Sequence, residues 1–209
     1  MLDLQLEFDR QTQNLLDKQY PTLAGLSTEA FLKHITPLKS LIENIDLPAI
    51  DLDYGTLPFM IVVKNDLVSA EKAMEAIDRE GKNGVINMTP VSPKDFNPIA
   101  NLGLPDAPVY LLLDIDRGKE TLNIAPDKAL EILQAENRTP LTIDEGIAII
   151  THFPDYLMKN NCFSLLGSRD TGKHVPAIWI SDHRPKLGWC WNGNPHTWLG
   201  SASAKQRIS

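Results

Sequence analysis

Apolar residues in the first 47 positions recur at helical rather than alternating intervals. Leu4, Phe8, Leu15 and Leu16 form one stripe, and Leu38, Leu41, Ile42 and Ile45 give a second face with i, i+3, i+4, i+7 spacing. Ser27 can cap the second helix, and Pro37, which lacks a backbone donor, kinks or divides it. A polar, proline-bearing link from Asp46 to Pro58 ends at Phe59-Met60-Ile61-Val62-Val63, an apolar and β-branched run that reads as a buried strand. Helical spacing returns between Ser69 and Glu80, where Ala70, Ala73, Met74 and Ile77 share a face and Gly81 offers a C-terminal cap.

Val109 to Leu113 is a second buried strand, and Asp116-Arg117-Gly118-Lys119 reads as a turn into a return strand from Thr121 to Ile124. Pro126 suits the first turn of a helix. Thr142-Ile143-Asp144-Glu145 is a capping box heading another, with Ile143, Ile147 and Ile150 turned inward, and Pro154 opens a further short turn. From Cys162 the pattern changes to short strands: Cys162 to Leu166, Val175 to Ile180, Leu187 to Trp191, and Thr197 to Ala202. Helices, then mixed units, then a run of antiparallel hairpins predict an α+β fold, not a doubly wound sheet. The expected organisation is a single domain over residues 1–209, helical in 1–47, mixed in 58–160 and built of Trp-rich strands in 161–209.

Hydrophobic residues at 43% and charged residues at 22% match a soluble globular chain and exclude a polar disordered tail. Two cysteines, Cys162 and Cys190, are too few for a disulfide framework and fit a reducing compartment. The acidic N-terminus lacks the order of a signal peptide, and no apolar run approaches the roughly 18 residues of a membrane span. A cytoplasmic location without membrane contact is expected. Net charge is −7, yet residues 160–209 carry +4, which leaves −11 on the first 159. Attraction to an anion therefore belongs to the C-terminal part.

That part also holds all four tryptophans, Trp179, Trp189, Trp191 and Trp198, interleaved with His183, Cys190 and His196. Indole rings so concentrated either build a sheet's core or furnish a ligand surface. Asn192-Gly193 signals a hairpin turn, and an even loop there sets Trp189 opposite Trp198 and Trp191 opposite His196. The same parity puts Cys190 and His196 on opposite faces, against a nucleophile–base pair.

Three other constellations are weaker. Gly167-Ser168-Arg169-Asp170-Thr171-Gly172-Lys173 has the glycines and lysine of a phosphate-binding loop, but His174 stands where a hydroxyl must hold magnesium, and a strand-like run follows instead of a helix. Cys162, His174, His183, Cys190 and His196 include zinc-ligand types, at spacings too wide for a structural site. Asp114 and Asp116, with Glu120 after the turn, could hold magnesium at a strand end or simply solvate it. No metal and no cofactor is expected.

Gly167-Ser168-Arg169, Val175 to Ser181, Pro185 to Trp191 and His196 to Gly200, preceded by Pro140 to Gly146, resemble a bacterial family of uncharacterised proteins from about Pro58 onward. The resemblance implies a stand-alone bacterial cytoplasmic protein and brings no activity, cofactor or catalytic residue with it.

The leading expectation is a non-catalytic binding module. Its site would be Trp179, Trp189, Trp191, Trp198 and His196, rimmed by Arg169, Lys173, Arg184 and Lys186, for an anionic or aromatic small molecule or a protein partner. Single-stranded nucleic acid ranks below this because no strongly basic groove is evident. The competing expectation is a hydrolase, with His196 or His183 as base beside Cys190 or Asp182, or a magnesium site at Asp114 and Asp116.

Overall fold

Helix α1 (Leu4–Asp17) begins where the Asp3 carboxylate accepts hydrogen bonds from the amides of Gln5 and Leu6. The computed structural model describes residues 3–209. A short α2 (Tyr20–Leu23) leads to α3 (Thr28–Ile35), capped by Ser27 as its sequence predicts. At Thr36-Pro37 the chain tightens into a 3-10 helix through Ile42, the interruption expected of Pro37. Three helices follow further on: α4 (Ala70–Ala76), α5 (Pro126–Ala135) and α6 (Ile143–His152).

The first sheet has the order β1 (Thr56–Val63), β6 (Val109–Asp116), β13 (Ser203–Ile208), β7 (Thr139–Pro140), all antiparallel. The second has the order β12 (Leu199–Ser201), β8 (Cys162–Ser164), β10 (His174–Ser181), β11 (Arg184–Trp191), β4 (Val85–Ile86), with its two outer pairs parallel. Two short ribbons, β2 (Asp78–Arg79) with β3 (Lys82–Asn83) and β5 (Asn97–Pro98) with β9 (Ser168–Arg169), complete an α+β architecture.

Three local expectations are corrected. The helix predicted to reach Glu80 stops at Ala76, because Glu80 and Gly81, both at positive φ, make the turn of the β2–β3 ribbon. No return strand follows Gly118: Thr121 closes a 3-10 turn onto the Gly118 carbonyl and accepts from the Ser201 amide. The strand predicted from Thr197 to Ala202 is confined to β12 and runs parallel to β8, and beyond it the unpredicted β13 crosses into the first sheet. Of the tail's expected antiparallel pairings, β8–β10 and β10–β11 form, the latter through the two-residue Asp182-His183 turn at φ 53° and 63°, and the one expected after Trp191 does not.

Helix α6 lies between the sheets and is buried on every side, the pattern of a core helix. Gly146 permits the close approach of the second sheet, since a Cβ there would meet the Leu165 side chain at 2.5 Å. On the other side α6 packs against β1 and β6. Its buried Glu145 forms a two-pronged ion pair with Arg207 of β13, at 2.5 and 2.9 Å. Tyr110 of β6 donates to the same carboxylate at 2.7 Å, as does the Thr142 amide at 2.7 Å. The remaining guanidinium hydrogens reach Leu102 O, Thr139 Oγ1 and Pro140 O, so a fully buried charge has every donor satisfied.

The free edge of β1 is closed by side chains instead of a strand. Gln11 of α1, fully buried, donates to Phe59 O and accepts from the Ile61 amide at 2.9 Å. His152, ending α6, donates from Nε2 to Ile61 O and accepts at Nδ1 from Asn14. Burial, reinforced by Arg10, holds this imidazole down to about 3, so it is neutral in the fold.

Arg207→Met leaves Glu145 buried without its counter-charge and should cost about 3–5 kcal/mol in urea unfolding. The double replacement Arg207→Met with Glu145→Leu should cost clearly less than the sum of the two single losses, even though Tyr110 and Thr142 lose their acceptor, whereas additive losses would contradict the pairing. His152 contributes a second effect with a defined sign. Its folded pKa lies below its unfolded value, so the stabilisation is complete above about pH 6.5 and is lost as pH falls toward 3, on the order of 4 kcal/mol. His152→Gln should flatten that part of the stability–pH curve.

Candidate functional site

Side chains alternate along β10 and β11, and their register assigns the tryptophans to two faces. Ile178 beside Gly146 marks the face toward α6, which also carries His174, Trp189 and Trp191. His174 is held by Asp170, and its ring meets Trp189 at 4.2 Å and Trp191 at 4.9 Å between centroids. Trp189 donates to Met88 O, while Trp191 is 47% exposed. The opposite face carries Trp179, Lys186, Arg184 and Cys190. There Trp198 meets Trp179 edge to face at 6.1 Å, and His196 lies against Trp198 at 5.3 Å, its Nε2 enclosed without a hydrogen-bond partner among the described residues.

The expected pairing of Trp189 with Trp198 and of Trp191 with His196 is therefore absent. A turn does form after Trp191, where Asn194 N donates to Trp191 O, but Pro195 has no amide with which to start a returning strand. The chain instead crosses to the far edge, where Cys162 N donates to Trp198 O and β12 joins β8.

Cations divide as well. Lys186 Nζ stands 5.7 Å from the Trp179 ring centre, and Gly188 leaves the space that ring occupies. Lys186 and Arg184 line a groove of about 480 Å³ with Lys82, whose ammonium donates to Asp182 O. Arg169 reaches Asn192 Oδ1 beside the Trp191 end of the hairpin, and Lys173 is exposed in the loop before His174. The nine predicted site residues thus fall into three groups: Trp179, Trp198, His196, Arg184 and Lys186 on one face, Trp189 and Trp191 on the other, and Arg169 and Lys173 at the hairpin's open end.

The remaining constellations have structural roles. His174 leads into β10, so the glycine loop before it has no helix whose amides could face phosphates. Cys190 packs against Val175 and Leu166, burial raises its thiol pKa, and among the described residues no imidazole hydrogen-bonds it. Asp114 pairs with Arg138 at 3.1 Å, and Asp116 accepts from the Gly118 amide. Among the described residues, no three His, Cys, Asp or Glu side chains gather closely enough to hold a metal.

A second depression of similar volume lies elsewhere. A cleft of about 490 Å³ opens between the β1–α4 connection, the Pro93–Pro98 segment and the head of α6. Phe96, Leu104 and Ile143 give it apolar walls, and Asp144 is the least exposed of its three carboxylates. Asp144 Oδ2 accepts from the Asn65 amide at 3.1 Å, and among the described residues Oδ1 has no donor. Burial pushes this carboxyl up to about 6 against the opposing Asn65 bond, with Glu145 and Asp66 adding repulsion. Sequence reading missed it because Asp144 sits inside a capping box that Glu145 completes; the usable signal was a second acid where the motif needs one.

Two sheets about a central helix, with two ligand-sized depressions, make up an α+β protein. The chain belongs to a family of unknown function, DUF5701, which it matches over residues 14–209. No curated protein and no solved structure matches it. Among the described residues no helix is long and apolar enough to cross a membrane.

Asp144 is ionised at a cost. Because its folded pKa is raised, the penalty is absent below about pH 4 and complete above about 6. Asp144→Asn keeps the acceptor for Asn65 and should stabilise the protein by about 1–2 kcal/mol at pH 7 and by nothing at pH 3.5. A variant less stable than wild type at pH 7 would contradict this reading.

Proposed function

We propose that the protein is a non-catalytic binding module, acting in a bacterial cytoplasm, that takes a small anionic ligand at the face carrying Trp179. The observation that carries this reading is the convergence of Lys82, Arg184 and Lys186 on one groove, with Lys186 over an indole ring, in a chain of net charge −7. Such local positive potential attracts an anion against the overall sign of the molecule, and the indole offers a flat apolar contact to a ring attached to it. The second reading, a protein partner seated on the other face, rests on the exposure of Trp191 beside His174. A cysteine hydrolase is disfavoured by a raised thiol pKa, and a magnesium site by carboxylates already bound to Arg138 and Gly118.

Titration with ATP, acetyl phosphate and a short oligonucleotide, following tryptophan emission, should give a saturable change with at least one of them. Arg184→Glu with Lys186→Glu should weaken that binding at least tenfold, and Trp179→Phe should remove most of the signal. Flat traces with all three probes would overturn the anion reading.

A further inference from the structure

We propose that the cleft at the head of α6 is a second, independent binding site, built for a small molecule that carries a protonated amine on an apolar body. Its volume of about 490 Å³ lies within the range of sites that enclose small ligands. The body of the ligand would rest on Phe96, Leu104 and Ile143, and its ammonium would meet Asp144.

The sign of the ligand's charge follows from which groups are already engaged. A helix head ordinarily favours anions through its free amides, but here, among the described residues, only that of Asp144 is left without an acceptor. Thr142 N donates to Glu145 Oε2, Ile143 N to Ser168 Oγ, and Glu145 N to Thr142 Oγ1. Lys64, one of two ammoniums in the cleft, donates to Pro105 O at 3.1 Å. Lys94 is exposed, whereas the half-buried Asp144 keeps one acceptor oxygen, Oδ1, without a hydrogen bond among the described residues. A carboxylate held at a penalty with one oxygen unused gains more from an incoming cation than a solvated one, because the ligand's charge repays desolvation already incurred. The lining adds Asp66 and Glu71 against Lys64 and Lys94, so the net sign of the cleft is negative.

Three probes of one skeleton separate the contributions: 2-phenylethylamine, 2-phenylethanol and phenylacetate. Each is added to ¹⁵N-labelled protein at pH 7.5 while the amide signals of Asn65 and Asp144 are followed. The amine should shift both saturably, with a dissociation constant at least tenfold below that of the alcohol, and phenylacetate should bind more weakly than either. Asp144→Asn should bring the amine to within twofold of the alcohol and leave the alcohol unchanged; Asp144→Ser serves as the second variant. Lys186→Glu should leave all three unaffected, which separates this site from the anion groove. Tighter binding of phenylacetate, equal binding of amine and alcohol, or no shift at these amides with any probe would overturn the inference.

Discussion

The ion pair between Glu145 and Arg207 is the contact through which the rest of the molecule is arranged. It joins the first turn of the central helix to β13 of the first sheet, and Tyr110, Thr139, Pro140 and Leu102 complete its hydrogen bonds. A charge pair enclosed this fully contributes little net stability compared with apolar residues of similar volume, because desolvation offsets the attraction. Its contribution is to specificity: only one register of β13 and one rotation of α6 bring the guanidinium fork onto the carboxylate. The second sheet then packs on the far side of α6, where Gly146 leaves room for Leu165.

Neighbouring acids on one helix turn have opposite fates for this reason. Successive residues project about 100° apart around a helix, so turning Glu145 inward to Arg207 swings Asp144 toward the β1–α4 connection and the cleft. Glu145 supplies both the reciprocal cap on Thr142 and the ion pair, which frees Asp144 of any capping duty. The tryptophan-bearing sheet is positioned less directly, through Ile178 and Leu165 packed on the glycine face of the same helix. The cleft is thus a consequence of how one helix is clamped, while the groove with Lys82, Arg184 and Lys186 forms where β3 and β4 meet the β10–β11 turn.

Local pattern made much of the fold legible. The α1 stripe, the Ser27 cap, the interruption at Pro37, the two long buried strands and the Thr142 capping box all depend on interactions within a few residues, which sequence spacing reports. Partnership between distant segments was not legible. Nothing in Thr197 to Ala202 distinguishes a strand returning beside Trp191 from one running parallel to Cys162, since both bury the same residues; Pro195 was the one local clue. Gly81 supports a helix cap or a hairpin turn equally well until β3 is seen to pair with β2. For the sites, concentration of aromatic and basic residues was visible, but their distribution over two faces required the register. Asp144 was hidden because its chemical interest comes from what Glu145 does with Arg207, 62 residues further along the chain.

Native-state amide hydrogen exchange of β13 tests the central claim most directly. If the Glu145–Arg207 contact clamps the molecule, amides of β13 bonded to β6 exchange only through global unfolding, at the same free energy as the slowest amides of β6, and the first turn of α6 shares that value. Exchange of β13 by a local opening well below the global free energy, with α6 and β6 still protected, would contradict it.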